Sequence, residues 1–479
     1  MTNIKKYHSY AYLLIGFIFL FFFNGKWILP IAAFIAPFFL IRFYRFQKPF
    51  KGFLLIVLAG WISNIFIWKG MMPISGFFYY FLMFIMSIFT SLTFLFDRVY
   101  TQKIKGLIST LVFPSAYVLM EFIVVSTNPS GSYGTLVHTQ SSLPLLQLIS
   151  ITGIWGLTFL ITWTASIANW LLDNSYNKSK VHLAFLVFAI PFLSIIIWGQ
   201  YRLSNTIESP TVRIASINSS KAEYYHRMTT NYDTLVEKAN EEFLKNCNIA
   251  ASSGAKIVFG RETVISLPFD KENDFVEKAK TIAKHDSLYI GLPMQVIPKG
   301  FPNVNPENKI IWISPVGEIL FTYHKAKPTH PGEGDYGDGI IKYFDSPHGR
   351  IGSAICFDMD FPSLINQTSK MDIDIMIVPG SDWQEITPYH TYVASVRAIE
   401  HGFSMVRSVF KGFSASFNYK GQLMSSNNFF KTNEVILYAD VPVKGQKTIY
   451  SVLGDYFAWL CIIFFVGISA FFIKLKFEK

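Results

Sequence analysis

Three side chains of the kind acyl transfer needs stand at the ends of short apolar runs. "KIVFGRET" leads into Glu262, "EILFTYHKAKP" into Lys325 and "RIGSAICFDMDFP" into Cys356. A thiol is mostly protonated near neutrality, so it needs a neighbouring base to become a nucleophilic thiolate. A carboxylate at Glu262 would accept that proton. An ammonium at Lys325 would favour the thiolate and hold the oxyanion of a tetrahedral intermediate. Singly, each has a blander reading, because an isolated cysteine is usually a small buried hydrophobe and an isolated lysine a solvated surface group. Cys247 and Cys461 do not stand at metal-ligand spacing from Cys356, nor do His324, His330 and His390 stand so among themselves. No metal site is therefore expected. Three cysteines make no disulfide framework, and Cys247 is expected to pack in a helix.

The segments around these residues set the fold class. "TVRIASINSS", "AKIVFGRET", "LYIGLPMQV", "KIIWISPVG", "GRIGSAICFD" and "IDIMIVPGS" are apolar runs of strand length. They alternate with helix-like stretches such as "TTNYDTLVEKANEEFLKNC" and "TPYHTYVASVRAIEHG". The alternation predicts a layered α/β domain over residues 205–450.

The rest of the chain is a different material. With 47 Phe, 51% hydrophobic residues and 15% charged ones, it does not have the composition of a soluble globule. Apolar stretches at about 9–23, 27–41, 52–68, 75–96, 107–127, 150–172, 181–199 and 456–473 approach the roughly 20 residues that span a bilayer core. The expected organisation is a seven-helix membrane bundle (1–204), the α/β domain (205–450) and one closing membrane helix (451–479), about eight transmembrane helices in all. The start "MTNIKKYHSYAYLLIGF" has no small-residue cleavage site and is read as retained.

Basic residues cluster in alternate loops. Lys5 and Lys6 come first, then Arg42, Arg45, Lys48 and Lys51, then Arg98, Lys103 and Lys105, then Lys178 and Lys180, and finally Lys474, Lys476 and Lys479. This is the positive-inside pattern, which predicts both termini in the cytoplasm and the α/β domain on the outer face. The formal charge of +10 is spread over these loops and not along a basic stripe with interleaved aromatics, so nucleic acid is not an expected partner.

In order, "GRET", "YHKAKPTHPGE" and "ICFDMDFP", then "VPGSDW" and "YHTYVASVRAIEHGFSMVRSVFKGFSASFNYKGQL", resemble the signature blocks of the nitrilase (carbon–nitrogen hydrolase) superfamily. The resemblance implies an αββα sandwich with Glu262 as base, Lys325 as oxyanion-stabilising cation, Cys356 as nucleophile and Glu333 as a supporting glutamate. In the membrane half, "PSAYVLMEF", "SYGTLVHTQSSLPLLQLISITGIWGLTFLI" and the late "GDYFAWLC" resemble the apolipoprotein N-acyltransferase family, the bilayer-embedded branch. That resemblance implies a cysteine thioester loaded from a phospholipid donor. The acceptor it implies is the α-amine of a diacylglyceryl-modified apolipoprotein, in a bacterial inner membrane, with no cofactor and a monomeric enzyme. "GRET" lacks the Trp-Pro expected before the glutamate, and Phe357-Asp358 stands where Tyr-Glu is usual. "CFDMDFP" is closer to the soluble amidase branch, so a membrane-tethered amidase or nitrilase acting on a small carbon–nitrogen substrate stands as the alternative.

Six further residues are candidates. Asp358 either supports the site or caps a strand end. Phe357 and Trp383 are candidate substrate contacts. Tyr133, with Gln140, sits in an outer loop where headgroups or loop packing are its two readings. Glu121 is a carboxyl inside an apolar helix, where such a group is expensive and either functional or an interhelical hydrogen bond.

Overall fold

A computed structural model describes residues 3–205, 208–218, 232–330 and 333–477. Residues 1–2, 219–220, 229–231, 331–332 and 479, which belong to stretches read above, lie outside the described residues. The chain divides into two compact units, Met1–Thr206 with Leu453–Lys479, and Ile207–Val452.

The first unit is helical. Its main helices are α1 (Asn3–Leu20), α2 (Ala32–Arg45), α3 (Pro49–Ile67), α4 (Gly76–Tyr100), α5 (Val112–Thr127), α6 (Ile154–Asp173) and α7 (Lys178–Ser204), with a closing helix at Tyr456–Phe477. Among the described residues, six segments are long and apolar enough to cross a membrane: α3, α4, the stretch Leu107–Thr127 containing α5, α6, α7 and the closing helix. The first two expected spans are the exceptions. Asn24 accepts a 2.8 Å hydrogen bond from the Gly25 amide and caps a short 3-10 turn, so the apolar stretch after Leu20 is broken. Helix α2 then begins only at Ala32, and its 14 residues rise about 21 Å, short of a hydrocarbon core of about 30 Å. The stretch expected to run from 150 is interrupted at Gly153, whose φ of +63° suits glycine, and α6 starts one residue later. Close helix approach depends on small residues: a Cβ added to Gly60 on α3 would lie 2.5 Å from the Ser87 hydroxyl on α4, which donates to the Val57 carbonyl at 2.7 Å.

The second unit is built from β1 (Thr211–Ile217), α8 (Tyr232–Ser252), β2 (Ile257–Gly260), β3 (Ile265–Pro268), α9 (Glu272–Asp286), β4 (Tyr289–Ile297), β5 (Glu307–Ile313) and β6 (Ile319–His324). The remaining elements are β7 (Lys342–Ser346), β8 (Gly349–Ser353), β9 (Ile375–Ser381), α10 (Tyr389–His401), β10 (Ser404–Phe410), β11 (Phe413–Phe417), β12 (Leu423–Asn428) and β13 (Ile436–Pro442). One sheet has the order β13-β1-β2-β4-β5-β6 with β3 beside β4, and the other runs β12-β11-β10-β9-β8-β7.

The strands read as continuous apolar runs because both faces of each sheet are covered. Successive residues alternate sides. Ile257 and Phe259 join the inter-sheet core with Trp312, Ile351 and Ile377. Between them Val258 points the other way, into a layer with Phe243 and Cys247 of α8 and Phe275 and Ala279 of α9. Helix α10 packs Ala394 and Ala398 on the other face of the second sheet, the one to which Met376 and Met405 point. This is an αββα sandwich. The central strands β1, β2 and β4 are parallel, as are β8, β9 and β10. Such sheets present binding sites beyond the carboxyl ends of their strands.

Candidate active site

Each candidate leaves the sandwich at a strand end. Glu262 follows β2 by two residues, Lys325 is the first residue after β6, and Cys356 opens a 3-10 turn (Cys356–Asp360) three residues after β8. All three are buried.

Glu262 and Lys325 meet directly. The Lys325 Nζ donates at 2.8 Å to Glu262 Oε1, and the Asn308 amide donates to the same oxygen at 2.8 Å. Glu333 takes the other side of the ammonium as a second ion-pair partner. Its Oε2 accepts from the Thr329 amide and hydroxyl, each at 2.6 Å. Two carboxylates on one buried cation cannot be equivalent. Burial alone would raise Glu333, yet Lys325 and Thr329 hold its carboxyl down to about 2. For Glu262 burial prevails, with the Glu333 charge adding to it, and its carboxyl sits above its ordinary value despite Lys325. Glu333 is thus held as the charged counter-ion of Lys325, while Glu262 is the more readily protonated of the two. Burial would lower the Lys325 ammonium, but Glu262, Cys356 and Glu333 together push it above its ordinary value, so it stays charged.

Cys356 has φ of +51°, a left-handed conformation that non-glycine residues seldom adopt and that commonly marks a functional turn. Asp358 secures that turn. Its Oδ2 accepts from the Ile355 amide at 2.9 Å and from the Tyr323 hydroxyl at 2.7 Å, and its Oδ1 accepts from the Lys327 amide at 2.7 Å. One carboxylate thereby joins the nucleophile's turn to the strand and loop that carry Lys325. Burial pushes the Cys356 thiol well up, the Glu262 charge raises it further, and Lys325 and Arg407 oppose the rise. The sulfur is therefore protonated at rest and lies within the field of the base and both cations.

Sequence reasoning missed a second layer of charge. Arg407, fully buried on β10, donates from Nη1 to the Cys356 carbonyl at 3.3 Å, and its Nη2 lies 3.9 Å from the sulfur. The same nitrogen stands 3.3 Å from Asp382 Oδ1 and 3.1 Å from His390 Nδ1. His390 in turn holds Asp382 at 2.7 Å and faces Asp360 at 3.3 Å. His390, to which the sequence assigns no chemistry, is thus part of the support beneath the nucleophile. Burial would lower its pKa, but Asp382 and Asp360 push it up to about 9. Ligating atoms of Cys356, Asp382 and His390 lie within 4.8 Å of one another. The Arg407 guanidinium already supplies the cation among them, so the group reads as an ion cluster and not as a metal centre. The available signal was an arginine in the middle of the apolar strand "SMVRSVF", where an unpaired charge would be prohibitive.

The other candidates fall in different places. Phe357 is half-buried and meets Phe361 edge-on at 5.2 Å. Trp383 is also half-buried, directly after Asp382. Glu121 and Tyr133 belong to the helical unit. Glu121 accepts from the Leu136 amide at 2.7 Å and from the Thr158 hydroxyl at 2.8 Å, tying α5 to α6. The Tyr133 hydroxyl donates to the Met71 carbonyl at 3.2 Å, and Gln140 donates to the Pro30 carbonyl at 3.2 Å, so both have internal partners.

An αββα sandwich with a thiol, two glutamates and a lysine at its strand ends, in one chain with a set of long apolar helices, is the layout of a membrane-attached carbon–nitrogen hydrolase. The carbon–nitrogen hydrolase family model matches residues 212–450, and the apolipoprotein N-acyltransferase N-terminal domain model matches residues 11–167. The apolipoprotein N-acyltransferase of Rickettsia typhi is 23% identical over 364 residues, covering 70% of each chain. Apolipoprotein N-acyltransferase 1 of Treponema denticola is 24% identical over 428 residues, covering 76% of this chain and 77% of that one. Among solved structures, an amidase from Nesterenkonia sp. superposes with a TM-score of 0.41 at 15% identity, over 50% of this chain and 93% of its own. This chain belongs to the apolipoprotein N-acyltransferase family.

Proposed function

We infer that this protein is a lipoprotein N-acyltransferase working through a thioester on Cys356. Glu262 takes the thiol proton as the sulfur attacks the ester carbonyl of a phospholipid. Lys325 stabilises the resulting oxyanion, the C–O bond breaks, and Glu262 returns the proton to the departing lysophospholipid. The α-amine of an apolipoprotein's diacylglyceryl-cysteine then attacks the thioester, giving its proton to Glu262. The C–S bond breaks and the thiol is restored. A base with an elevated pKa suits both halves, since it must receive and return a proton in each.

Acyl transfer is favoured over amide hydrolysis by one observation: the acyltransferase N-terminal domain match lies in the same chain as the hydrolase-type sandwich. Attachment to a bilayer gives the enzyme lateral access to both a lipid donor and a lipid-anchored acceptor. The alternating basic loops support a finer topology of eight membrane-embedded helices, with both termini in the cytoplasm of a bacterial inner membrane and the sandwich outside.

The test is intact mass of the purified protein after exposure to phospholipid. One fatty-acyl adduct should appear on Cys356, be discharged by a diacylglyceryl-cysteine peptide, and be lost in Cys356→Ala. A Cys356→Ala protein that still acylates the peptide would sink this reading.

A further inference from the structure

Arg45 at the end of α2, Arg98 at the end of α4, Lys105 in the turn that follows and Lys180 at the start of α7 line one cavity of about 700 Å³ at one end of the helical unit. Asp173, Trp170 and Leu183 also line it. Its charges do not balance. Asp97 is paired with Arg45 at 3.0 Å, and Asp173 is shared between Arg45 at 3.0 Å and Arg42. Those two carboxylates are occupied by two arginines. Arg98 instead donates to the Gln47 carbonyl, from Nε at 3.2 Å and from Nη2 at 3.1 Å. Among the described residues no carboxylate lies within ion-pair distance of Arg98, Lys105 or Lys180.

Three uncompensated cations around one cavity, at a helix-bundle end, want a compact anion. Beside them the surface turns apolar, with Leu172, Leu183, Val187 and Ile190 exposed along α6 and α7. Tyr176, 81% exposed, stands between as an aromatic of the type that settles at a membrane–water interface. We propose that this cavity binds the phosphate of an anionic phospholipid, whose acyl chains run past Leu172 along the exposed apolar face of α7. The phosphate is the recognised group, and the adjacent apolar face is what favours a lipid over free phosphate. Basic pockets between membrane helices recognise such headgroups. This site involves neither Cys356 nor any residue placed in the catalytic machinery, so its test is independent of the acyltransferase reading.

The experiment is native mass spectrometry of the full chain, released from detergent micelles containing equal amounts of phosphatidylglycerol and phosphatidylcholine. The protein should retain phosphatidylglycerol preferentially. Lys105→Gln/Lys180→Gln should weaken that retention by about fivefold per cation, roughly 25-fold together. Acyl loading of Cys356 should not change. Raising salt from about 50 mM to about 500 mM should release the lipid from the parent protein, a measurement that stands even if the double variant fails to fold. Equal retention of the two lipids, retention unaffected by the double substitution, or retention indifferent to salt would each overturn the proposal. A parallel arm replaces lipid with inorganic phosphate: thermal stabilisation by phosphate as large as that by phosphatidylglycerol, and lost in the same variant, would assign the site to the free anion and refute the lipid form.

Discussion

Glu333→Gln is the most informative single change at the candidate active site. Glu333 is only 15% exposed, pairs with Lys325 and accepts two hydrogen bonds from Thr329. Its carboxyl is held at about 2 against an ordinary 4.5. At 1.36 kcal/mol per unit, that gap corresponds to at most about 3 kcal/mol of stabilisation in the folded protein. Because the folded value is depressed, the contribution is fully present above pH 4.5 and fades as pH falls toward about 2. The variant should therefore melt lower at neutral pH, by roughly 6–12 °C for a unit of this size. The difference from the parent should narrow below pH 4.5. The same substitution removes a like charge that raises Glu262, leaving Lys325 to that carboxylate alone. The acid limb of Cys356 acylation should then move to lower pH, while the rate on the plateau falls because the base is weaker. Circular dichroism melts from pH 3 to 8 read the first effect, and intact-mass time courses of acyl-adduct formation across pH read the second. An unchanged melting temperature at neutral pH together with an unmoved or raised acid limb would refute the division of labour between the two glutamates.

The charge layer under the nucleophile makes two more predictions. Arg407→Gln leaves Asp382 buried without its arginine and should destabilise by about 3–5 kcal/mol. It should also shift iodoacetamide alkylation of Cys356 to higher pH, with Arg407→Lys restoring part of the shift; an unchanged alkylation profile would show that the guanidinium does not act on the thiol. His390 is raised to about 9, so its stabilising charge is complete below pH 6.5 and lost as pH climbs through about 9, a decline of up to about 3 kcal/mol. Thermal unfolding between pH 6 and 10 should show that decline in the parent and a flatter profile in His390→Gln, and a flat parent profile would contradict it.

The residues that act through their own chemical type were legible before any fold. Glu262, Lys325 and Cys356 each end an apolar run, and their order along the chain together with "HPGE" carried Glu333 with them. The sandwich was legible for a similar reason: strands covered on both faces must be apolar throughout, and six such runs alternate with polar helices. What alternation could not supply was the length of each membrane helix. A single side-chain cap at Asn24 and a positive φ at Gly153 redraw boundaries that hydropathy alone extends through.

Only the tertiary structure decided how charges are shared. The sequence has a limited number of carboxylates and cations, and which of them neutralise one another depends on distances of a few ångströms between positions far apart in the chain. Glu333 and Glu262 take opposite pKa shifts because one ammonium lies between them, Arg407 and His390 form an ion cluster beside Cys356 because β10 and α10 pass beneath its turn, and Arg98, Lys105 and Lys180 surround one cavity because three helix ends meet there. Residue types are written in the chain, but electrostatic pairing falls off so steeply with separation that it exists only once the chain has folded.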